Sequence, residues 1–329
     1  ATDAYSGDSA TLFTDYLFAN EDVVKFTMDV MQESGRRIKL NDFNTDIPVK
    51  RNCLTTIAGN ILTDGNNVSV DVEESEEETE WPKTMAEQLA YVGIVGGEVT
   101  LTENVELTKP VVINAGVNAV INLNGHDIIN TTKSDEYGAG EAIIVYGNAT
   151  INGEGTVAGC TRAVWARGAE NDAVVNIYGG NYNGNRTNSS GSVSCYGGAF
   201  YNFGVLNVYG GTFSDNHALR GGAFYNYRTM HIYKATITKN SASVGGMVYV
   251  PASGSAFLYL GGENDVVESA VVISENTASG NGGAIYNGST TTVQDTTFVK
   301  NTSKDKGGAI YNPSSTNLTV AKSVFDGNS

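Results

Sequence analysis

The densest set of acid–base side chains in the chain is Asp215, His217, Arg220 and Arg228, with His231 nearby. Carboxylates paired with one another, or a Ca²⁺ site beside a basic residue, are what cleavage of a polysaccharide needs. A second polar-aromatic set is Arg162, Trp165 and Arg167. Neither set has a nucleophile–base pair or a spaced ligand motif, and charged side chains occupy surfaces by default. His126, His217 and His231 are scattered, and Cys53, Cys160 and Cys195 are odd in number with no metal spacing. The expectation is therefore a chain with no catalytic residue, no metal and no cofactor, whose cysteines are buried or isolated thiols.

Tyrosine is the other chemistry-bearing type, because it recurs in register. Gly197-Gly198-Ala199-Phe200-Tyr201-Asn202 returns at Gly221, as Gly245-Gly246-Met247-Val248-Tyr249-Val250, at Gly282 and at Gly307, with starts 24, 24, 37 and 25 residues apart. A second phrase alternates with it: Phe213 to Asn216, Ile237 to Asn240, Ile273 to Asn276, Phe298 to Asn301 and Phe325 to Asn328, with Tyr182 to Asn185 as a first copy. A period near 24 with strand-type content and no helix between repeats means stacked coils. The fold class is therefore all-β, a right-handed parallel β-helix over 83–329. Each coil lies about 4.8 Å above the last, so equivalent residues form ladders. The phrase-ending Asn is placed at an αL turn, its amide pairing with the Asn of the next coil.

Strand alternation turns Phe200, Phe224, Val248, Ile285 and Ile310 inward. The flanking Ala positions, and Tyr201, Tyr225, Tyr249, Tyr286 and Tyr311, then face outward. The tyrosines would form an exposed file, either a platform for sugar rings or a partner surface, or a self-stacking ladder that only stiffens the rod. Asp215, Lys239, Glu275 and Lys300 precede the ladder Asn and alternate in charge up the rod. The 37-residue spacing is assigned to a loop around Pro251–Asn264 projecting from the shaft, a second candidate binding element.

A β-helix exposes an apolar end that must be sealed. Residues 83–92, with Met85 and Leu89 four apart, are expected to be the helix that seals it. Before it, six Glu lie among the eight residues Glu73 to Glu80. Such a run repels itself and reads as a linker, set at 73–82. Residues 1–72 contain strand-type stretches such as Lys25 to Val30 and Val68 to Val72. The net charge of −16 disfavours nucleic acid and acidic membrane surfaces. No apolar run reaches the roughly 20 residues that span a bilayer. No signal peptide is read from Ala1 onward.

The alternating Gly-Gly-Ala-Ile and Phe-x-x-Asn phrases over 180–329 resemble the repeats of chlamydial polymorphic outer-membrane proteins and related adhesin-like β-helices. That resemblance implies a surface-displayed passenger or adhesin. The family's transporter barrel is not seen here, so its secretion route does not carry over. Ile47-Pro48-Val49-Lys50-Arg51-Asn52-Cys53-Leu54 to Thr63 is similar to the closing motif of Bacteroidetes fimbrillin-like β-sandwich domains, although Cys53 stands where an aromatic is expected. The resemblance implies a pilin-type or lipoprotein module in 1–72. About four strands precede Glu73, against about seven in a sandwich, so missing residues or another chain would complete it. Asp8-Ser9-Ala10 and Asp295-Thr296-Thr297 fit the O-glycosylation pattern of that phylum.

The combined expectation is a non-catalytic cell-surface protein of a Gram-negative outer membrane, adhesin-like or structural, with a glycan or surface protein as partner. The alternative is a carbohydrate-active β-helix enzyme or a glycan-capturing lipoprotein beside an outer-membrane importer. Clustered carboxylates with convergent basic groups would favour the enzyme. A flat, aromatic, charge-poor face would favour the binder.

Overall fold

The computed structural model describes residues 84–329, apart from 131, 133–139, 169–172, 188–194, 254 and 263–270, and the backbone of four N-terminal strands. The chain divides into two compact units, Ala1–Trp81 and Pro82–Ser329. In the first unit Val23–Met31 pairs antiparallel with Arg37–Pro48, and Cys53–Ala58 with Asp71–Glu78. The strand expected around Lys25 to Val30 is thus present. Most of the acidic run read as a linker lies in the strand Asp71–Glu78. The described residues of this unit form two two-stranded pairs. Leu12 to Phe18, Glu33 to Gly35, Asp8 to Ala10 and all of Ile61 to Val70 fall outside them.

The second unit is a right-handed parallel β-helix. Three long sheets run along it, each built of strands that recur once per coil. Sheet A has eight strands, from Val111–Ile113 to Ile310–Tyr311; sheet B has nine, from Gly97–Thr100 to Asn317–Ala321; sheet C has nine, from Val105–Glu106 to Val324–Asp326. A short four-stranded sheet D, His217–Arg220 to Thr302–Ser303, forms a fourth side in the later coils. Every pairing in these four sheets is parallel, and the Phe200, Phe224, Val248, Ile285 and Ile310 file is in register. Their side chains and those of Phe213, Ile237, Ile273 and Phe298 enter one continuous apolar core.

Helix α1, Met85–Val95, opens the unit three residues longer at its C-terminal end than expected. Thr84 caps it: its hydroxyl accepts from Glu87 N–H while the Glu87 carboxylate accepts from Thr84 N–H, satisfying two donors that a helix start leaves open. Met85, Leu89 and Val92 are buried in the shaft core, so the helix seals its N-terminal end. Gly93 permits the close approach, because a Cβ there would overlap the Val112 carbonyl oxygen. At the far end, inward-facing Val320 and Phe325 are partly exposed.

Three expectations about the coil are corrected. The residue in the αL region is not the ladder Asn but the one before it: Gly184, Asp215, Lys239, Glu275, Lys300 and Gly327 all have φ between 53° and 61°. That bend turns the following Asn side chain into the core. Ala199, Ala223, Ala284 and Ala309 are buried in the core rather than outward. They sit on the corner after the Gly-Gly turn, and alternation begins only with the strand at the next residue. Finally, Pro251–Asn264 does not project as one loop. Phe257–Leu260 within it is a sheet B strand paired on both sides, with Leu258 and Leu260 fully buried. The extra length is split between the corner before this strand and the segment after it.

Candidate functional site

The ladder Asn residues carry the most ordered polar chemistry in the molecule. Asn185, Asn216, Asn240, Asn276 and Asn301 are all fully buried. Each Nδ2 donates to the Oδ1 of the next Asn at 2.9–3.0 Å, and each backbone N–H donates to that same oxygen at 2.9–3.1 Å. The second amide hydrogen reaches a carbonyl of the preceding coil: Val157, Tyr182, Phe213, Ile237 or Ile273. Every buried polar atom of these amides therefore has a partner, which is the condition for such a network to stabilise. A shorter ladder links Asn202 to Asn226 and Asn287 to Asn312 on another corner, interrupted at Val250.

The tyrosine file of sheet A points outward as expected but is not exposed. Tyr201 and Tyr225 are only 3% and 6% accessible, while Tyr249, Tyr286 and Tyr311 are half-buried or nearly so. Tyr201 and Tyr225 form a second apolar cluster outside the sheet with Ile144 and Trp165, flanked by Tyr146, Tyr196, Phe203, Tyr227 and Tyr249. Rings stack coil on coil: Tyr225–Tyr249 at 5.4 Å, Tyr249–Tyr286 at 4.8 Å and Tyr286–Tyr311 at 5.3 Å. Tyr196 lies parallel to Tyr225 at 4.8 Å. The ring faces are thus occupied by neighbouring rings. Burial raises the Tyr225 hydroxyl to about 12 and raises that of Tyr249 too, where Arg220 opposes the shift.

Arg162, Trp165 and Arg167 do come together. The Arg162 guanidinium is 5.3 Å from the Trp165 ring centre and 5.0 Å from that of Tyr201; Arg167 is 4.6 Å from Trp165 and donates to the Tyr146 hydroxyl at 2.8 Å. Arg162 also pairs with Glu141 at 2.9 Å, both side chains essentially inaccessible, and its Nε donates to the Tyr196 carbonyl at 3.0 Å. Burial raises the Glu141 carboxyl pKa, against the lowering influence of Arg162. Arg162 and Trp165 are packed into a structural joint, with Arg167 exposed at its edge.

Asp215, His217, Arg220, Arg228 and His231 do not converge. Asp215 occupies its αL corner, His217 lies on sheet D with Nδ1 2.9 Å from Ser241 Oγ, and His231 lies on sheet B with Nδ1 3.2 Å from Asn207 Oδ1. Arg220 covers the rings of Tyr196 and Tyr249 at 5.3 and 5.1 Å. Burial lowers the His217 imidazole, with Arg186 adding to the effect. Among the described residues no three His, Cys, Asp or Glu side chains gather as a metal site. Cys160 and Cys195 are free, buried thiols, and burial pushes Cys160 to about 12. Thr296 of the glycosylation pattern is buried, with its hydroxyl on the Gln294 carbonyl, so it offers no acceptor to solvent.

One set was missed in the sequence. Tyr178 and Tyr209 on the outside of sheet B are 55% and 37% accessible, and with Tyr233 they stack at 4.7 and 5.0 Å. Their signal was a weaker phrase, Ile177-Tyr178-Gly179-Gly180 and Val208-Tyr209-Gly210-Gly211, continued as Ile232-Tyr233. Asn176, Asn207 and His231 stand beside them, with Asn207 Nδ2 donating to Asn176 Oδ1 at 2.9 Å.

Comparison with known proteins gives two partial matches. Residues 2–111 match a family of unknown function, DUF6562, which includes helix α1 and the first strands of the shaft. Residues 270–288 and 295–313 match the Chlamydia polymorphic membrane protein repeat. Those two segments hold the phrases Ile273 to Asn276, Gly282 to Asn287, Phe298 to Asn301 and Gly307 to Asn312. No curated protein and no solved structure matches the chain.

Proposed function

We propose that the Pro82–Ser329 unit is a rigid, non-catalytic shaft displayed on a cell surface, of the adhesin-like type. The observation that carries this reading is how the repeated side chains are used. The residues that recur through the later coils, ladder Asn from Asn185 and Tyr from Tyr201, are joined to their own copies above and below, so the repeat builds a rod and not a reaction centre. The polymorphic membrane protein repeat supports the surface placement, in the outer membrane of a Gram-negative cell. Within the same proposal the N-terminal unit is a fimbrillin-like module; its antiparallel pairs are compatible with half of a sandwich.

The test has two parts. Intact cells carrying the native protein are treated with an impermeant amine label, and the purified protein is incubated with a polysaccharide library followed by product analysis. Labelling on intact cells with no cleavage products is expected. Labelling only after lysis overturns the surface placement, and new reducing ends or unsaturated products overturn the non-catalytic reading.

A further inference from the structure

We propose that the aromatic file outside sheet A is a path for electron holes: a one-electron oxidation of Trp165 passes along the rod to Tyr286 and Tyr311, rings that water reaches. This activity goes beyond the shaft reading and does not depend on it.

Strand register puts an aromatic residue at the same outward position in six consecutive coils: Trp165, Tyr201, Tyr225, Tyr249, Tyr286 and Tyr311. Five steps of about 4.8 Å make a path of roughly 24 Å. Successive ring centres along it lie 5.8, 5.1, 5.4, 4.8 and 5.3 Å apart. One end of the file is closed, because the position below Trp165 is Ile144 and the one below that is Val112. Indole, the side chain that gives up an electron most readily, stands at that closed end. The tyrosine file of sheet B holds three stacked rings and no indole.

Charge and water give the path its direction. A hole is positive, so a nearby cation repels it. The exposed Arg167 guanidinium lies 4.6 Å from the Trp165 ring and donates to the Tyr146 hydroxyl at 2.8 Å, which opposes a hole on either ring. Arg162 also lies against Trp165 and Tyr201, but Glu141 balances its charge. Arg220 stands 5.1 Å from the Tyr249 ring. Among the described residues no cation–ring contact falls on Tyr286 or Tyr311. A phenol keeps a hole only when its proton leaves. Tyr201 and Tyr225 are closed to water, and burial holds the Tyr225 proton in place, its pKa raised to about 12. They pass the hole on. Tyr286 and Tyr311 are partly accessible, so water takes the proton there.

One electron moves from the phenol of Tyr286 or Tyr311 to oxidised Trp165 and restores the indole. The phenolic proton goes to water, and a neutral tyrosyl radical remains. A thiol in solution then gives it a hydrogen atom, restoring the phenol and becoming a thiyl radical. The initiating oxidant is a one-electron acceptor of the peroxyl-radical class. Damage to the covered joint is thereby discharged at a ring that solution reductants reach.

The experiment is laser photo-ionisation of the purified chain carrying Trp81→Phe, which leaves Trp165 as its one indole. The pulse lies at the red edge of tryptophan absorption, where tyrosine does not absorb. The tryptophan-radical band is expected to decay as the tyrosyl band grows, at a rate independent of protein concentration. A nitroso spin trap followed by peptide mass spectrometry is expected to place the adducts on Tyr286 and Tyr311. With Tyr286→Phe and Tyr311→Phe added, transfer is expected to be at least tenfold slower, with the thermal midpoint unchanged. No transfer, a rate that scales with protein concentration, adducts mainly on Tyr146 or the sheet B tyrosines, or an unchanged rate in the added variant each overturns the inference.

Discussion

Replacing Asn240 by Asp tests the ladder with almost no change of shape. In the parent, Asn240 Oδ1 accepts from Asn216 N–H at 3.0 Å and Asn216 Nδ2 at 2.9 Å, and its own Nδ2 donates to Phe213 O and Asn276 Oδ1, both at 2.9 Å. Asp keeps the accepting oxygen and turns the donor into a second acceptor, facing three others at hydrogen-bond distance, Phe213 O, Asn276 Oδ1 and Thr238 O. These buried bonds are lost and their acceptors oppose a carboxylate. At roughly 1–3 kcal/mol for each unsatisfied buried group, the cost is about 3–5 kcal/mol at pH 7. The carboxyl is buried among carbonyls, so its folded-state pKa lies above the unfolded value. The neutral form is then favoured by folding, and the penalty is smallest below the unfolded pKa of about 3.9 and grows as pH rises through the folded value. Urea unfolding of N240D and parent at pH 7 and pH 4, with native-state hydrogen exchange, reads this out. A solenoid is coupled mainly to nearest neighbours, so protection should fall in coils beside residue 240 and persist in those before residue 160. A variant within about 1 kcal/mol of the parent at pH 7, or one whose deficit does not shrink at pH 4, would refute the account.

Four further outcomes follow from the packing. Tyr182 buries its hydroxyl in the core with no hydrogen-bond partner, where later coils use Phe213 and Phe298; Tyr182→Phe should raise stability by about 1 kcal/mol in urea unfolding. The raised Tyr225 hydroxyl makes the fold lose stability as pH climbs from about 10 toward 12, at up to about 1.4 kcal/mol per pH unit, and Tyr225→Phe should flatten that loss in thermal melts. Gly184 and Gly221 both have positive φ, yet a Cβ at Gly184 meets nothing within 4 Å while one at Gly221 overlaps the Phe224 carbonyl oxygen. Gly184→Ala should cost about 1 kcal/mol and Gly221→Ala clearly more, by the same melts. Thr84→Ala removes half of the capping box and should cost about 1 kcal/mol, with amide exchange in α1 rising first.

The coil was legible because its residue types have few alternatives. Gly-Gly recurs where backbone meets backbone: a Cβ at Gly222 would overlap the Gly246 carbonyl oxygen. Asn recurs where one side chain must accept and donate between coils. The cap was legible from Met85 and Leu89, although its end at Val95 depended on Gly96, whose φ of 83° closes the helix. Coverage of the sheet A tyrosines was not legible, because alternation gives only the side of a strand. What buries Tyr201 and Tyr225 comes from other positions: Trp165 one coil earlier, Tyr196 before the turn and Phe203 after the strand. The strand at Phe257–Leu260 was hidden because insertions on both sides of it break the period. The accessible Tyr178 file was overlooked because its phrase fades after two full copies, the third having Lys234 where Gly is expected.

The Asn ladder is also directional. Each rung gives two hydrogens to the rung after it and receives two from the rung before, from Asn185 through to Asn328. A broken rod would therefore carry waiting donors at one fracture face and waiting acceptors at the other. Two like faces brought together would set donor against donor at this corner, whereas opposite faces match. The ladder thus acts as a one-way coupling: it admits growth of the rod in a single sense and resists fusion of two rods tip to tip.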